Sequence, residues 1–317
     1  MGKYALRRVL QAIPLLLGVA ILSFALIQFL PGGPLTLLAH NPHATPAQIR
    51  QISHNLGLDQ PGYIQFFKWA GGLLHGDWGT SYVDGRPVLS DIGARLPATL
   101  LLMGTGLLVS SVLAVTFGVL SAVRPYSLFD YGATFFSFFG LSMPVFWFGL
   151  MLQLLFAVHL AWLPAADAYD ERTGPSFWSG LHHIILPAFT LGITSIAGWS
   201  RYLRSSLVDV VRQDYIRTAR AKGVVRRRVI MVHAMRNALI PLVTVMALDI
   251  PGYFTGAVVV ETVYSWPGMG RLFFDSLNTR DYPIQLGLLV ISACLIVLGN
   301  LIADLVYGYL DPRIKYS

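Results

Sequence analysis

Six stretches of this chain stay apolar for long enough to cross a lipid bilayer, and nothing else in the sequence constrains the fold as much. They cover residues 9–30, 96–123, 129–160, 184–203, 238–260 and 284–309. About 20 helical residues, each rising about 1.5 Å, suffice for a hydrocarbon core of about 30 Å. With no water in that core, backbone N–H and C=O groups must be satisfied within the segment, so runs of this kind have to be helices. The expected fold is therefore all-α, a polytopic membrane protein with six transmembrane helices. Charged residues make up only 12% of the chain, about half the share usual in a soluble domain.

The first run resembles a secretory leader in its basic start, but it exceeds the usual apolar core of about 7–15 residues and no small-x-small cleavage site follows. It reads as a retained span. The fourth run, "LPAFTLGITSIAGWS" within it, is the weakest, because Gly, Ser and Thr interrupt it. Small residues let helices approach closely in lipid, which accounts for the low hydropathy. Pro14, Pro144, Pro187, Pro241 and Pro251 are expected to kink spans without ending them, since neighbouring helices can satisfy the freed carbonyls.

Basic residues set the orientation. With six spans and both termini cytoplasmic, 16 of the 23 Lys and Arg fall on the inner side, as the positive-inside bias requires. The net charge of +7 gathers at span ends, which argues for lipid headgroups as the partner and against nucleic acid. The single cysteine, Cys294, excludes an internal disulfide.

Three regions follow: a first transmembrane helix over 1–31, an extracytoplasmic helical segment over 32–95, and a core of five spans over 96–317. In the outer segment, Thr45 as N-cap, Pro46 at the first position, Gln48 completing a capping box and Gly57 past the end predict a short helix. A second helix is expected over 63–74. Residues 161–183 read as loop.

The densest charge lies between the fourth and fifth spans. The segment "QDYIRTARAKGVVRRRVIMVHAMRNALIP", residues 213–241, holds seven Lys and Arg. A solvated positive loop beside anionic headgroups is the plain explanation. Yet "DYIRTARAK" has good helix formers, with small Ala219 and Ala221 on one side, Gly223 follows as a stop, and helical habit then resumes. Helix, glycine turn and helix make a projection able to seat in a groove of another protein, with arginines available for acidic groups.

At these residues the chain resembles the permease subunits of bacterial ABC importers, in particular the dipeptide, oligopeptide and nickel group. Arg217, Thr218 and Ala219 occupy the positions of the general "EAA" signature and Gly223 its glycine, while "YIRTARAKG" and "HAMRNALIP" are similar to the peptide group's own version. The resemblance covers nearly the whole chain. "LPGGP" resembles the group's "PGDP" with Gly33 in place of an acid; "LGLDQP", "HGDWGTS" and "RLPATL" fit its outer segment. "ETVYSWPGMGRLFFDSL", "RDYPIQLG" and "NLIADLVYGYLDPRIK" fit its last outer loop and C-terminus.

The resemblance implies the type I importer permease fold, with an outer insertion after the first helix, a coupling loop at about 209–237 and an outer flap at about 261–282, in the inner membrane. It implies a second permease subunit as heterodimer partner, two ATPase subunits that bind ATP and Mg, and an extracytoplasmic binding protein. This chain itself would carry no cofactor, no metal and no catalytic residue. Arg217, Thr218, Ala219, Arg220, Ala221, Lys222 and Gly223 would form the ATPase-coupling element. Glu261, Trp266, Pro267, Gly268 and Arg271 would form the flap that meets the binding protein. The cargo expected is di- or oligopeptide; nickel, glutathione or antimicrobial peptide would use the same architecture.

The residues themselves add a pathway hypothesis. Asp249 lies near the centre of the fifth run, where an acid costs roughly 2.5–3.5 kcal/mol on insertion scales and needs a polar cavity or partner. Met246 and Tyr253 share its helical face. Either Asp249 lines the pathway and meets the amino end of a peptide, or it bonds a neighbouring helix. "SWPGMG" predicts a tight turn centred on Pro267 and Gly268, with a short helix over 271–277. No G-x-x-x-x-G-K-[ST], H-E-x-x-H or G-x-S-x-G occurs, so a P-loop and the most recognisable hydrolase signatures are missing. Adjacent His182 and His183 point to different sides of a helix and do not suggest a metal site. An ion-coupled secondary transporter is the alternative of another class; it would need paired intramembrane acids or inverted repeats.

Overall fold

The computed structural model describes residues 2–29, 50–51, 53–54, 57–170, 172 and 174–310, with residues 2–6 and 305–310 described by backbone only. The helices are α1 (Gly2–Phe29), α2 (Gly62–Leu74), α3 (Val88–Val123), α4 (Leu128–Ser142), α5 (Val145–Leu152), α6 (Phe177–Val211), α7 (Asp214–Ala221), α8 (Arg226–Val263), α9 (Met269–Thr279) and α10 (Tyr282–Leu310). Among the described residues there is no β-strand, only one isolated bridge between Thr80 and Pro87. Among the described residues five helices are long and apolar enough to span a membrane, and six spans result if α4 and the bent segment from α5 to His159 are one broken span.

That break corrects one expectation. The run 129–160 is not one kinked helix: α4 and α5 meet at 113°. Met143 is extended, with ψ 134°, and Pro144 is the N-cap of α5. A proline disfavours helical geometry in the residue before it, so Pro144 ends a helix here. Past Leu152 the chain continues as a π-helical stretch, Gln153–His159. Pro14, Pro187, Pro241 and Pro251 lie inside unbroken helices, as expected. The stretch read as loop over 161–183 is also shorter than expected, because α6 starts at Phe177, where Ser176 Oγ accepts the Ser179 N–H. The helix expected from Thr45 falls largely outside the described residues. Gly57 closes its end with φ +67°, donating to His54 O at 3.0 Å.

The chain forms two compact units. One comprises residues 100–266 with 1–5 and 298–317. In it α6 packs along α8 and α4, and α5 packs on both α6 and α8. The weak fourth run proves to be the most buried candidate span: half of its most apolar stretch is inside, against 6% for α1. The reason is close approach. A Cβ added to Gly192 of α6 would stand 2.1 Å from Ser110 Oγ of α3, so only glycine admits that contact. Trp199, Leu203 and Leu207 of α6 and Leu242 of α8 are buried.

The other unit comprises residues 6–99 and 267–297. Val88, Ile92, Met269, Ile284 and Leu288 form its core, with Trp78 and Phe273 packed against them. Phe24 of α1 meets Phe66 and Trp69 of α2 at ring-centre distances of 5.5 and 5.6 Å. Buried Asp281 ties the turn before α3 to the chain after α9: Ser81 Oγ donates to its Oδ2 at 2.5 Å and the Tyr82 N–H to its Oδ1 at 3.1 Å.

Candidate functional site

Three features of the site are distinct: an elbow, an acid on a helix face, and the turn after α8.

The elbow is α7, Gly223 and the start of α8. Helix α7 runs Asp214–Ala221, and an eight-residue helix is marginal by itself. Two features hold it. Ile216 is fully buried, while Arg217, Thr218, Arg220, Ala221, Lys222 and Gly223 are exposed and Ala219 is half-buried. At its end Gly223 takes φ +76°. Its N–H donates to Arg220 O at 2.9 Å, and the Val224 N–H donates to Ala219 O at 3.2 Å. This pair of bonds is a Schellman closure, which needs a left-handed residue at the glycine position. Past the turn, α8 begins Arg226–Arg228 and continues through a π-helical turn, Val229–Ala234, whose Val229, Ile230 and Ala234 are buried. Helix α7 packs against that turn. The elbow therefore presents a short row of Arg, Thr, Ala and Lys side chains outward and is anchored by buried Ile216 and by Tyr215, whose hydroxyl accepts from Asn237 Nδ2 of α8 at 2.7 Å.

The acid is Asp249, exposed on α8. Buried Trp199 of α6 donates its Nε1 to Asp249 Oδ2 at 2.6 Å. Tyr253 stacks on Trp199 with ring centres 6.2 Å apart, and its hydroxyl donates to Ser110 Oγ at 2.8 Å. Tyr253 is only 4% exposed and so stands behind the carboxylate. Met246 is half-buried. Of the two roles foreseen for Asp249, the bond to a neighbouring helix is present, through Oδ2; among the described residues no protein donor is found on Oδ1. Trp199 and Ser110 were not singled out from sequence. A tryptophan two residues before Arg201, inside an apolar run, offered a signal, but not the identity of its partner.

One buried carboxylate was not singled out from sequence. Asp130 of α4, 2% exposed, receives Arg204 Nε at 2.5 Å and Nη2 at 2.6 Å, and accepts the Tyr126 N–H at 2.8 Å. Arg204 lies inside α6. Arg201 is also in α6, its guanidinium 4.4 Å from the centre of the Phe138 ring.

The turn after α8 is made differently from the one foreseen. The reversal is at Ser265, with φ +52°, and the Trp266 N–H donates to Glu261 O at 2.9 Å. Gly268 is the N-cap of α9, not a turn centre. Glu261 and Trp266 are 0% and 1% exposed. In the other unit, Pro267 and Leu272 border a cleft of about 440 Å³ with Asp84, Arg86, Asp91 and Arg95, and Arg271 Nε lies 3.9 Å from Asp275. The Asp84 carboxyl is held below its usual range chiefly by the Arg86 backbone N–H it accepts. His182 and His183 bond backbone carbonyls of Trp162 and Ser179, and the described residues contain no cluster fit to hold a metal.

Residues 114–316 match the family described as binding-protein-dependent transport system inner membrane component, and residues 1–103 match the N-terminal family of such membrane components. The chain is 49% identical to the oligopeptide transport system permease protein AppB of Bacillus subtilis over 317 residues, covering all of both chains. It is 38% identical to the dipeptide transport system permease protein DppB of Escherichia coli K12 and 39% identical to the glutathione transport system permease protein GsiC of Salmonella paratyphi A, again over the whole of each chain. A family match over most of the chain and end-to-end likeness to three permeases leave one assignment: the chain belongs to the binding-protein-dependent transport system inner membrane components, as a multi-pass inner-membrane ABC permease whose role is transport and not catalysis.

Proposed function

We propose that this chain is one of two permease subunits that together line the pathway of an importer for di- and oligopeptides. ATP and Mg are bound by two separate ATPase subunits, and an extracytoplasmic binding protein delivers cargo to the outer side. The termini and the elbow face the cytoplasm, because that orientation puts most of the basic residues inside. The observation that carries the reading is the elbow: residues 217–223 expose a row of side chains on a helix pinned by Ile216 and closed by Gly223. Closure of the ATPase pair moves that helix as a rigid body, and α7 packed on the first turns of α8 passes the movement to the spans.

Peptide as cargo is supported by the full-length likeness to an oligopeptide and a dipeptide permease. Glutathione, itself a small peptide, is a second reading, favoured by the 39% identical glutathione permease. An ion-coupled carrier is not favoured by any of these relatives. Asp249, with Oδ2 fixed by Trp199, offers its other oxygen to the amino end of a peptide; Met246 lies beside it and Tyr253 supports Trp199 from behind. Pro267, Gly268 and Arg271, with Glu261 and Trp266 beneath the preceding turn, form the flap that meets the binding protein.

Reconstitution of the chain with its sister permease and ATPase subunits in vesicles tests this. ATP hydrolysis should rise when a peptide-loaded binding protein is present outside, and labelled peptide should accumulate inside. Hydrolysis indifferent to both the permease and the loaded binding protein would overturn the importer reading. Hydrolysis stimulated by glutathione and by no other peptide would shift the cargo to the second reading.

A further inference from the structure

Where α3 and α6 end beside the elbow, a cleft of about 230 Å³ brings together Arg212, Arg220 and Arg226 with apolar walls that include Val123, Leu207 and Ile230. No acidic residue lines it, and among the described residues none of the three arginines takes part in an ion pair. Arg226 Nη2 donates to Val123 O at 2.9 Å, which satisfies one carbonyl at the end of α3. The ends of α3 and α6 contribute at most about half a negative charge each, less than the three guanidiniums bring. The cleft is therefore electropositive, walled by hydrocarbon, and at the ends of two long helices. Their 36 and 35 residues give lengths of more than 50 Å at about 1.5 Å per residue, so they reach past the hydrocarbon core.

We propose that this cleft binds the phosphate of an anionic glycerophospholipid, resting on the orientation and elbow role given above. Guanidinium groups pair phosphate oxygens bidentately, and basic pockets between spans on the cytoplasmic side suit acidic headgroups. The apolar wall decides between sources: glycerol and the first acyl carbons use it, whereas free phosphate or an acidic side chain would leave it unfilled. Arg220 precedes Gly223 and Arg226 follows it, so one bound phosphate bridges the two arms of the elbow and restrains the angle between them. Anionic lipid then tunes how firmly the coupling helix is presented.

The test uses the assembled transporter in phosphatidylcholine vesicles with and without phosphatidylglycerol, and compares the natural chain with Arg212→Gln and with Arg212→Gln/Arg226→Gln. Native mass spectrometry reads lipid retained per complex. Retention should fall about fivefold in affinity for each arginine removed, since each contributes about one step of that size near an anionic surface. Arg212→Gln alone guards against loss of the Val123 contact, with unchanged thermal unfolding as its check. Equal phosphatidylglycerol retention by natural and variant complexes refutes the site. Displacement by inorganic phosphate alone would assign it to the free anion, and capture of the arginines by carboxylates of the ATPase subunit, with no lipid retained, would assign it to protein. Either result overturns the proposal. Lipid retention is read without transport, so its failure leaves the importer reading untouched.

Discussion

Gly223 gives the elbow its most sharply graded prediction. Its φ of +76° lies in the left-handed region, and a Cβ added there meets no atom within 4 Å. Any penalty for replacement is therefore backbone strain alone. An ordinary L residue pays about 1–2 kcal/mol in this conformation, asparagine less, and a β-branched residue more. If the strain opens the turn, the two closing bonds to Arg220 O and Ala219 O go with it, each worth about 0.5–1.5 kcal/mol net. Opening the turn releases the strain, so the smaller of the two costs applies, about 1–2 kcal/mol; that is enough to shift an eight-residue helix that is marginal by itself, since every 1.4 kcal/mol is about tenfold in population. The order expected is Gly, then Asn, then Ala, then Val. Amide exchange over residues 216–224 should accelerate in that order, and peptide-stimulated ATP hydrolysis should fall with it. Thermal unfolding of the span bundle should not change, because nothing in the bundle touches the added atoms. Natural coupling and exchange in Gly223→Val, or a worse result for Gly223→Asn than for Gly223→Val, would refute the reasoning.

Three further outcomes are expected. Ile216→Ala, which empties a fully buried site, should weaken seating of α7 by about 2 kcal/mol or more and lower stimulated ATP hydrolysis, with hydrogen exchange in α7 as the check; unchanged exchange would contradict it. Asp130→Ala strands a partly buried guanidinium and should destabilise the bundle by about 3 kcal/mol, whereas Asp130→Leu/Arg204→Met should recover much of that, both read by thermal unfolding in detergent. Trp199→Phe removes the donor to Asp249 Oδ2 while keeping most of the ring. A bond to a charged group contributes about 1.5–3 kcal/mol, so uptake of peptides with a free amino end should suffer more than uptake of N-acetylated ones, and equal effects on the two would remove Asp249 from the pathway.

The spans were legible because lipid leaves a chain of this composition few options, and Gly223 was legible because a Schellman closure needs a residue of its kind at that position. Burial was less so. The run containing "LPAFTLGITSIAGWS" has the residues of a tightly packed helix and reads as a weak span, since close approach through Gly192 depends on Ser110, 82 positions earlier in the chain. Pro144 looked like the other span prolines; that it ends a helix while Pro187 does not depends on what neighbouring helices do for the freed carbonyls. The Asp130–Arg204 pair and the Trp199–Asp249 bond were invisible for the same reason, being meetings of α4 with α6 and of α6 with α8 that no local pattern announces. The turn at Ser265 misled through its residues: Pro267 and Gly268 favour a turn centre, but the left-handed position was filled by a serine.

The account turns on whether α7 meets an ATPase subunit and moves with it. With Cys294, the sole cysteine, replaced by serine, Ala221→Cys should form a disulfide-length cross-link to a cysteine in the groove of the partner ATPase, and its yield should change between nucleotide-free and ATP-bound states. No cross-link in either state, while the complex remains assembled and hydrolyses ATP in response to loaded binding protein, would contradict the account.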